Sequence, residues 1–335
     1  MNKKNKIKNY ILDNLSSHEK NIVQAAINKF GVSRQAIHRH MINLIKENKV
    51  IAFGNTKGRY YKLIPLVNYS KTIDIKNHNN SRMFLEEFII PHINILPRNI
   101  YEIFEYSVGS LFNNIIDHSN ATKVYFKIYI NHDEAHFILT DNGIGLFENI
   151  CQGLDLSNAQ LAAFELAKGS ITTDPENHSG DELNTIIHLF DLVTIESAKK
   201  SLIYSNDNNH WEINNSLHQQ GTRIHLKIYP RSNRTCADIF YKIFQKEKKK
   251  IRIPINILNM SDNNFLNSRS HAKSILRNIK DYKKIEFDFN EIDLISPAFA
   301  DELARKTEEE NQFADIKWMN TNKTVDMLMN RAFKR

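Results

Sequence analysis

Apolar and polar positions along the chain fall into three successive patterns. Over residues 20–30, KNIVQAAINKF, the apolar positions Ile22, Val23, Ala26, Ile27 and Phe30 recur at three and four, the spacing of one helical face. Gly31 breaks that helix, and Ser33 is a natural N-cap for RQAIHRHMINLIKENK, whose Ile37, Met41, Leu44 and Ile45 repeat the spacing. Two strand-like runs around Gly54–Gly58 in VIAFGNTKGRYYKLI then predict a β-hairpin. The polar stretch NYSKTIDIKNHNNSR at 68–82 reads as a linker or a short extended arm.

The second pattern opens with a long amphipathic helix from Asn99 to His118, marked by Ile100, Ile103, Phe104, Val108, Leu111 and Ile115. Strand-like TKVYFKIYI and EAHFILT follow, the latter running directly into DNGIG, and further strands are expected at 192–229. Past QKEKKK comes the third pattern, in which strand-like IRIPINIL, KKIEFDFNEIDLI and ADIKWMN alternate with helical NSRSHAKSILRNI, SPAFADELARKTEEEN and TVDMLMNRAF. The expected fold class is α/β (α+β), with units at 1–65, 83–230 and 247–335, a linker at 66–82 and a connector at 231–246.

Composition narrows the class. The 335 residues, 41% hydrophobic and 25% charged, suit a soluble chain with two or three cores. No apolar run reaches membrane-spanning length and the start, MNKKNKIKNYILDN, lacks the apolar stretch of a signal peptide, so a cytoplasmic protein without a membrane partner is expected. Cys151 and Cys236 stand far apart with no metal-ligand spacing, which argues against a disulfide framework or a zinc site.

Charge is concentrated at the start. Residues 1–65 hold 13 Lys and Arg against three Asp and Glu, a net +10, while the other 270 residues carry −3. A localised basic segment is the footprint of a polyanion partner, although a solvated Lys-rich tail raises the count equally. The helix, Gly-containing turn, helix and hairpin over about 5–64 resemble a winged helix-turn-helix. That resemblance implies double-stranded DNA as partner, with Ser33, Arg34, Gln35, His38 and Arg39 at the recognition helix and Lys57 and Arg59 on the wing. A module used only for protein contacts is the alternative.

The central segment offers candidate chemistry. Ser110, Asn114 and His118 follow one another at four-residue steps and share a stripe of the long helix. NNIIDH followed by DNGIG resembles the nucleotide pocket of a GHKL ATPase, an α/β sandwich, and implies ATP and Mg2+ as cofactors. By that resemblance Asn114 would face metal and phosphates, and Asp141 would accept from the adenine amino group. Asp117, His118, Gly143, Gly145 and Thr222 would complete the pocket, the glycines by permitting positive φ and close approach to a ligand. Residues 165–191 look like the ATP lid and glycine box, which would bring in Gly180 and Lys168, although a surface lysine explains Lys168 as well.

Two departures from the GHKL pattern stand out. Glu182 occupies the place of a second glycine, where a carboxylate near a triphosphate is unfavourable unless it turns away or binds metal. Ser110 stands four residues before Asn114, where relatives carry a general-base Glu, and loss of such a base typically costs about 10²–10⁴ in rate.

Residues 247–335 look like a STAS-like domain, on Ser268-Arg269-Ser270 with Ala272-Lys273 and on Phe299-Ala300-Asp301-Glu302-Leu303. The family association makes Ser296 a phosphorylation candidate, but Ser before Pro297 is also a helix N-cap with proline at N1. Three functions stay in view. The first is a bacterial-type DNA-binding transcriptional regulator that senses ATP and relays occupancy to the winged helix or, through the STAS-like domain, to a protein partner. The second is an ATPase or serine kinase of anti-sigma-factor type, and the third a scaffold that no longer binds nucleotide. An operator with two half-sites would fit a homodimer.

Overall fold

The computed structural model describes residues 3–55, 58–169, 180–244, 250–258, 265–279, 282–310 and 313–334. The protein is a mixed α/β chain with several sheets. Helices α1 (Lys3–Asn14), α2 (Ile22–Phe30) and α3 (Arg34–Lys46) pack with an antiparallel hairpin, β1 (Val50–Phe53) and β2 (Tyr60–Leu63). Their apolar stripes close on a separate core that includes Ile11, Leu15, Ile22, Ala26, Ile37, Met41, Leu44 and Tyr61. Gly31 ends α2 with φ 62°, and the Ser33 hydroxyl accepts from the Ala36 N–H at 3.2 Å to cap α3.

The stretch expected as a linker at 66–82 is instead built into the next unit. β3 (Val67–Asp74) pairs antiparallel with β4 (Lys123–Ile130) along its whole length, and α4 (Ser81–Phe84), a π-helical turn and α5 (Ile90–Ile93) follow. β3 is an edge strand, which needs apolar residues on one face only. Its polar Asn68, Ser70 and Thr72 are exposed while Ile73 is buried, so its composition resembles that of a linker.

β3 and β4 belong to a seven-stranded antiparallel sheet completed by β5 (Ala135–Asp141), β6 (Leu192–Ser197), β7 (Lys200–Ser205), β8 (His210–Asn215) and β9 (Thr222–Ile228), in the order β3-β4-β5-β9-β6-β7-β8. One face carries the helices α6 (Arg98–His118), α7 (Leu146–Leu154), α8 (Ala159–Lys168) and α9 (Asp181–Leu189). Strand residues on that face, such as Phe126, Phe137 and Leu226, are fully buried, whereas Tyr125 on the other face is exposed. Stacking of Phe84 on Phe112, with centroids 4.0 Å apart, ties α4 to α6. The expected connector contains α10 (Cys236–Phe244), an amphipathic helix that buries Ile239 and Ile243 in the same core.

The remaining strands form a parallel sheet, β10 (Lys250–Pro254), β12 (Lys284–Asp288) and β14 (Asp315–Met319), beside a two-residue parallel pair, β11 (Phe265–Leu266) and β13 (Leu294–Ile295). Helices α11 (Arg269–Leu276), α12 (Pro297–Glu310) and α13 (Lys323–Phe333) connect and cover them. α8 packs on β10, so the two sheets share one continuous core. Among the described residues no helix is long and apolar enough to cross a membrane.

Candidate functional site

β5 ends on Asp141, whose side chain is buried at the floor of a cavity between the sheet and the helix layer. The Gly143 N–H donates to Oδ1 at 2.8 Å and the Thr222 N–H to Oδ2 at 3.2 Å. Burial pushes the Asp141 carboxyl above its ordinary range, and these two backbone bonds oppose the shift. The backbone fit there is tight. Gly221 has φ 69°, and a Cβ on it would lie 2.1 Å from the Asp141 carbonyl oxygen.

Gly143 and Gly145 permit positive φ and close approach to a ligand, but neither uses a positive φ here. Their neighbours are the protein's own atoms. A Cβ on Gly143 would meet the Ser119 carbonyl oxygen at 2.1 Å, and one on Gly145 the Glu148 carboxylate and Ser197 hydroxyl. The glycines thus let the DNGIG loop pack against the end of α6, where the Ile144 N–H donates to the Ser119 carbonyl at 2.6 Å.

The cavity is open at its mouth and encloses about 150 Å³. Leu111, Ile115, Leu139, Ile150, Leu166 and Ile224 make its walls apolar. Asp141 and Thr222 line it from the sheet, Asn114 and His118 from α6, and Gly180 and Glu182 from the start of α9. Five of the expected nucleotide contacts therefore share one cavity.

Asp117 and Lys168 do not line it. Asp117 is exposed on α6. Lys168, at the end of α8, is 9% exposed and turns toward α11, where its Nζ donates to the Arg277 carbonyl at 2.7 Å and lies 2.8 Å from the Glu165 carboxylate. Burial pushes the lysine down and the glutamate up, and each partner's charge opposes the other's shift. This contact is invisible from the sequence because it joins segments about a hundred residues apart. Within the lid expected at 165–191, residues 170–179 lie outside the described residues.

One pairing joins the two departures noted in the sequence. The Ser110 hydroxyl donates to Glu182 Oε2 at 2.9 Å, linking α6 to α9 at the cavity's edge. The four-residue stripe placed Ser110 near Asn114, but nothing local pointed Glu182 at it.

On the basic N-terminal unit, Arg34, Gln35, His38 and Arg39 are all exposed on α3, and Arg59 is exposed beside the Tyr61 ring. Ser33 spends its acceptor on the cap bond, which leaves its O–H free to donate. Lys57 lies outside the described residues. The unit meets the large sheet through Arg231, whose Nη1 donates to Asp133 at 2.6 Å and to the Asp13 carbonyl at 2.7 Å.

Ser296 caps α12. Its hydroxyl accepts from the Phe299 N–H at 3.0 Å and donates to the Asn267 carbonyl at 3.0 Å. Ser296→Ala is therefore expected to cost about 1 kcal/mol in urea unfolding, the usual loss of a cap. Ser268 likewise caps α11, accepting from the Ser270 N–H, while Arg269 and Lys273 are exposed.

Among known families, a model described as a STAS-like domain of unknown function (DUF4325) matches residues 271–326. This span runs from α11 through β12, α12 and β14 into α13, and the chain carries a STAS-like domain there. No curated protein and no solved structure matches the chain.

Proposed function

We propose that the protein is a nucleotide-sensing, DNA-binding transcriptional regulator, in which a GHKL-type central domain binds ATP with Mg2+ and relays occupancy to an N-terminal winged helix. The observation that carries this reading is the convergence of Asp141, Thr222, Asn114, His118 and Gly180 on one cavity with apolar walls. The residues fit the ligand. A buried carboxylate offers a fixed acceptor to a purine amino group, apolar walls suit the base, and the Asn114 amide oxygen suits a hard cation. The exposed Arg34, Gln35, His38 and Arg39 on a capped helix suit the major groove of double-stranded DNA.

A physical route joins the two sites. β5 carries Asp141 at one end, and the β4–β5 turn at its other end holds Asp133, which Arg231 ties to α1. A nucleotide that binds the DNA-competent and incompetent arrangements unequally would shift the balance between them, whereas equal binding would shift nothing. Affinity for duplexes selected from a random pool, measured with and without saturating Mg-ATP, tests the relay. Identical affinities would sink it. Arg39→Ala is expected to weaken DNA binding about tenfold and flatten its salt dependence, with ATP affinity unchanged in calorimetry.

The hydrogen bond between Ser110 and Glu182 keeps the alternative of an ATP-cleaving enzyme in play. Phosphorylation of Ser296 fits less well, because both bonding functions of its hydroxyl are engaged.

A further inference from the structure

We propose that Glu182 is the base that takes a proton from the water attacking the terminal phosphate of a bound nucleoside triphosphate, with Ser110 as its positioning residue. The inference rests on the nucleotide reading of the cavity and assigns to that site a reaction.

Among the described residues two acidic side chains line the cavity, Asp141 and Glu182. Asp141 is 4% exposed and receives a backbone N–H on each oxygen, an arrangement that holds a carboxylate still as an acceptor. Glu182 is exposed, and its one hydrogen bond among the described residues is the donation from Ser110 to Oε2. Among the described residues Oε1 has no hydrogen-bond partner, so it can meet a water molecule.

Position follows from the helix. Ser110, Asn114 and His118 climb α6 in four-residue steps, and the end of α6 packs against the loop that follows Asp141. At 1.5 Å per residue, Ser110 lies about 12 Å along the axis from His118. That is comparable to the reach of an extended nucleotide from its purine amino group to its terminal phosphate. A purine held at Asp141 with its triphosphate running along α6 past Asn114 would bring the terminal phosphate toward Glu182, which lines the same cavity.

Charge sets the conditions. A carboxylate beside a triphosphate is repelled unless a cation lies between them, so the step requires Mg2+ on the phosphates near Asn114. Tyr106, one turn before Ser110, does not compete as a base. Burial, and next the Glu182 charge, push its hydroxyl up to about 12, so it stays protonated. In the reaction the water oxygen forms a bond to the terminal phosphorus and its proton passes to Glu182. The bond from that phosphorus to the bridging oxygen breaks, and the diphosphate leaves with the bridging oxygen's electron pair. Glu182 then returns the proton to solvent.

The test uses the full chain with Mg-ATP labelled at the terminal phosphate, and calorimetry on the same samples. A parallel purification from cells that lack the gene sets the background for contaminating activity. Wild type is expected to release phosphate above that background, and Glu182→Gln to slow release by about 10²–10⁴ with ATP affinity retained. Ser110→Ala should lower kcat without raising KM, and Ser110→Thr, which keeps the hydroxyl, should preserve turnover. ATP binding without turnover in the wild type, or wild-type turnover in Glu182→Gln, would overturn the proposal and leave the nucleotide reading intact. Absence of ATP binding to the wild type would instead remove the nucleotide reading itself.

Discussion

Lys168→Met is expected to destabilise the protein by about 3–5 kcal/mol, because it strands a buried carboxylate without its partner. Glu165 and Lys168 are 4% and 9% exposed and 2.8 Å apart, and the lysine also holds the Arg277 carbonyl just past the end of α11. In the variant Glu165 keeps the Asn278 hydrogen bond and the more distant Arg277 charge but loses its ion-pair partner, so it must fold either charged without that partner or protonated. A carboxyl whose folded pKa lies above its unfolded value stabilises the fold at low pH and loses that stabilisation as pH rises through the folded value. The deficit should therefore shrink in acid. Glu165→Gln added to Lys168→Met should recover most of the loss, since removing both charges removes the uncompensated one. Urea unfolding of the three proteins at neutral and mildly acidic pH checks this, and equal stability of wild type and Lys168→Met would refute it. The same variant bears on α8 as a bridge. Leu166, between the two charged residues, lines the cavity, so α8 touches both the cavity and the STAS-like domain.

What was legible in the sequence was local. The helix expected over Asn99–His118 from the stripe Ile100 to Ile115 matches α6 to within a residue at each end, and the run EAHFILTD gives β5 together with its terminal Asp141. Asn114 and His118 share a face by helical geometry alone, so two cavity residues followed from one element. What was not legible depends on contacts far apart in the chain. β3 reads as polar linker because an edge strand buries one face only, and α10 hides in a connector because its stripe of Ile239 and Ile243 is short. Lys168 looked like a surface lysine or a phosphate ligand, since nothing near it in sequence announces the α11 carbonyls that hold it. Ser110 and Glu182 each broke the expected pattern, and only the packing of α6 against α9 brings the two exceptions together.

Asp141→Asn is expected to weaken ATP binding by at least tenfold and up to about a hundredfold, the range for losing a hydrogen bond to a charged group. The carboxylate accepts from Gly143 and Thr222 and can still accept from a purine amino group, because two oxygens offer about four lone-pair sites. An amide offers one oxygen. It can satisfy one of the two N–H groups, and its –NH2 then faces either the other N–H or the purine amino group, donor against donor. The same reasoning gives a specificity test. A base bearing a carbonyl in place of the adenine amino group is rejected by a carboxylate and accepted by an amide –NH2. Wild type should therefore prefer ATP to inosine triphosphate, and Asp141→Asn should narrow or reverse that preference. Burial raises the Asp141 carboxyl, so neutralising it relieves a cost to folding that partly offsets the lost backbone bond. A folded variant with weakened ATP binding and altered base preference would place adenine against Asp141. Unchanged ATP affinity would mean that the cavity holds its ligand by some other contact.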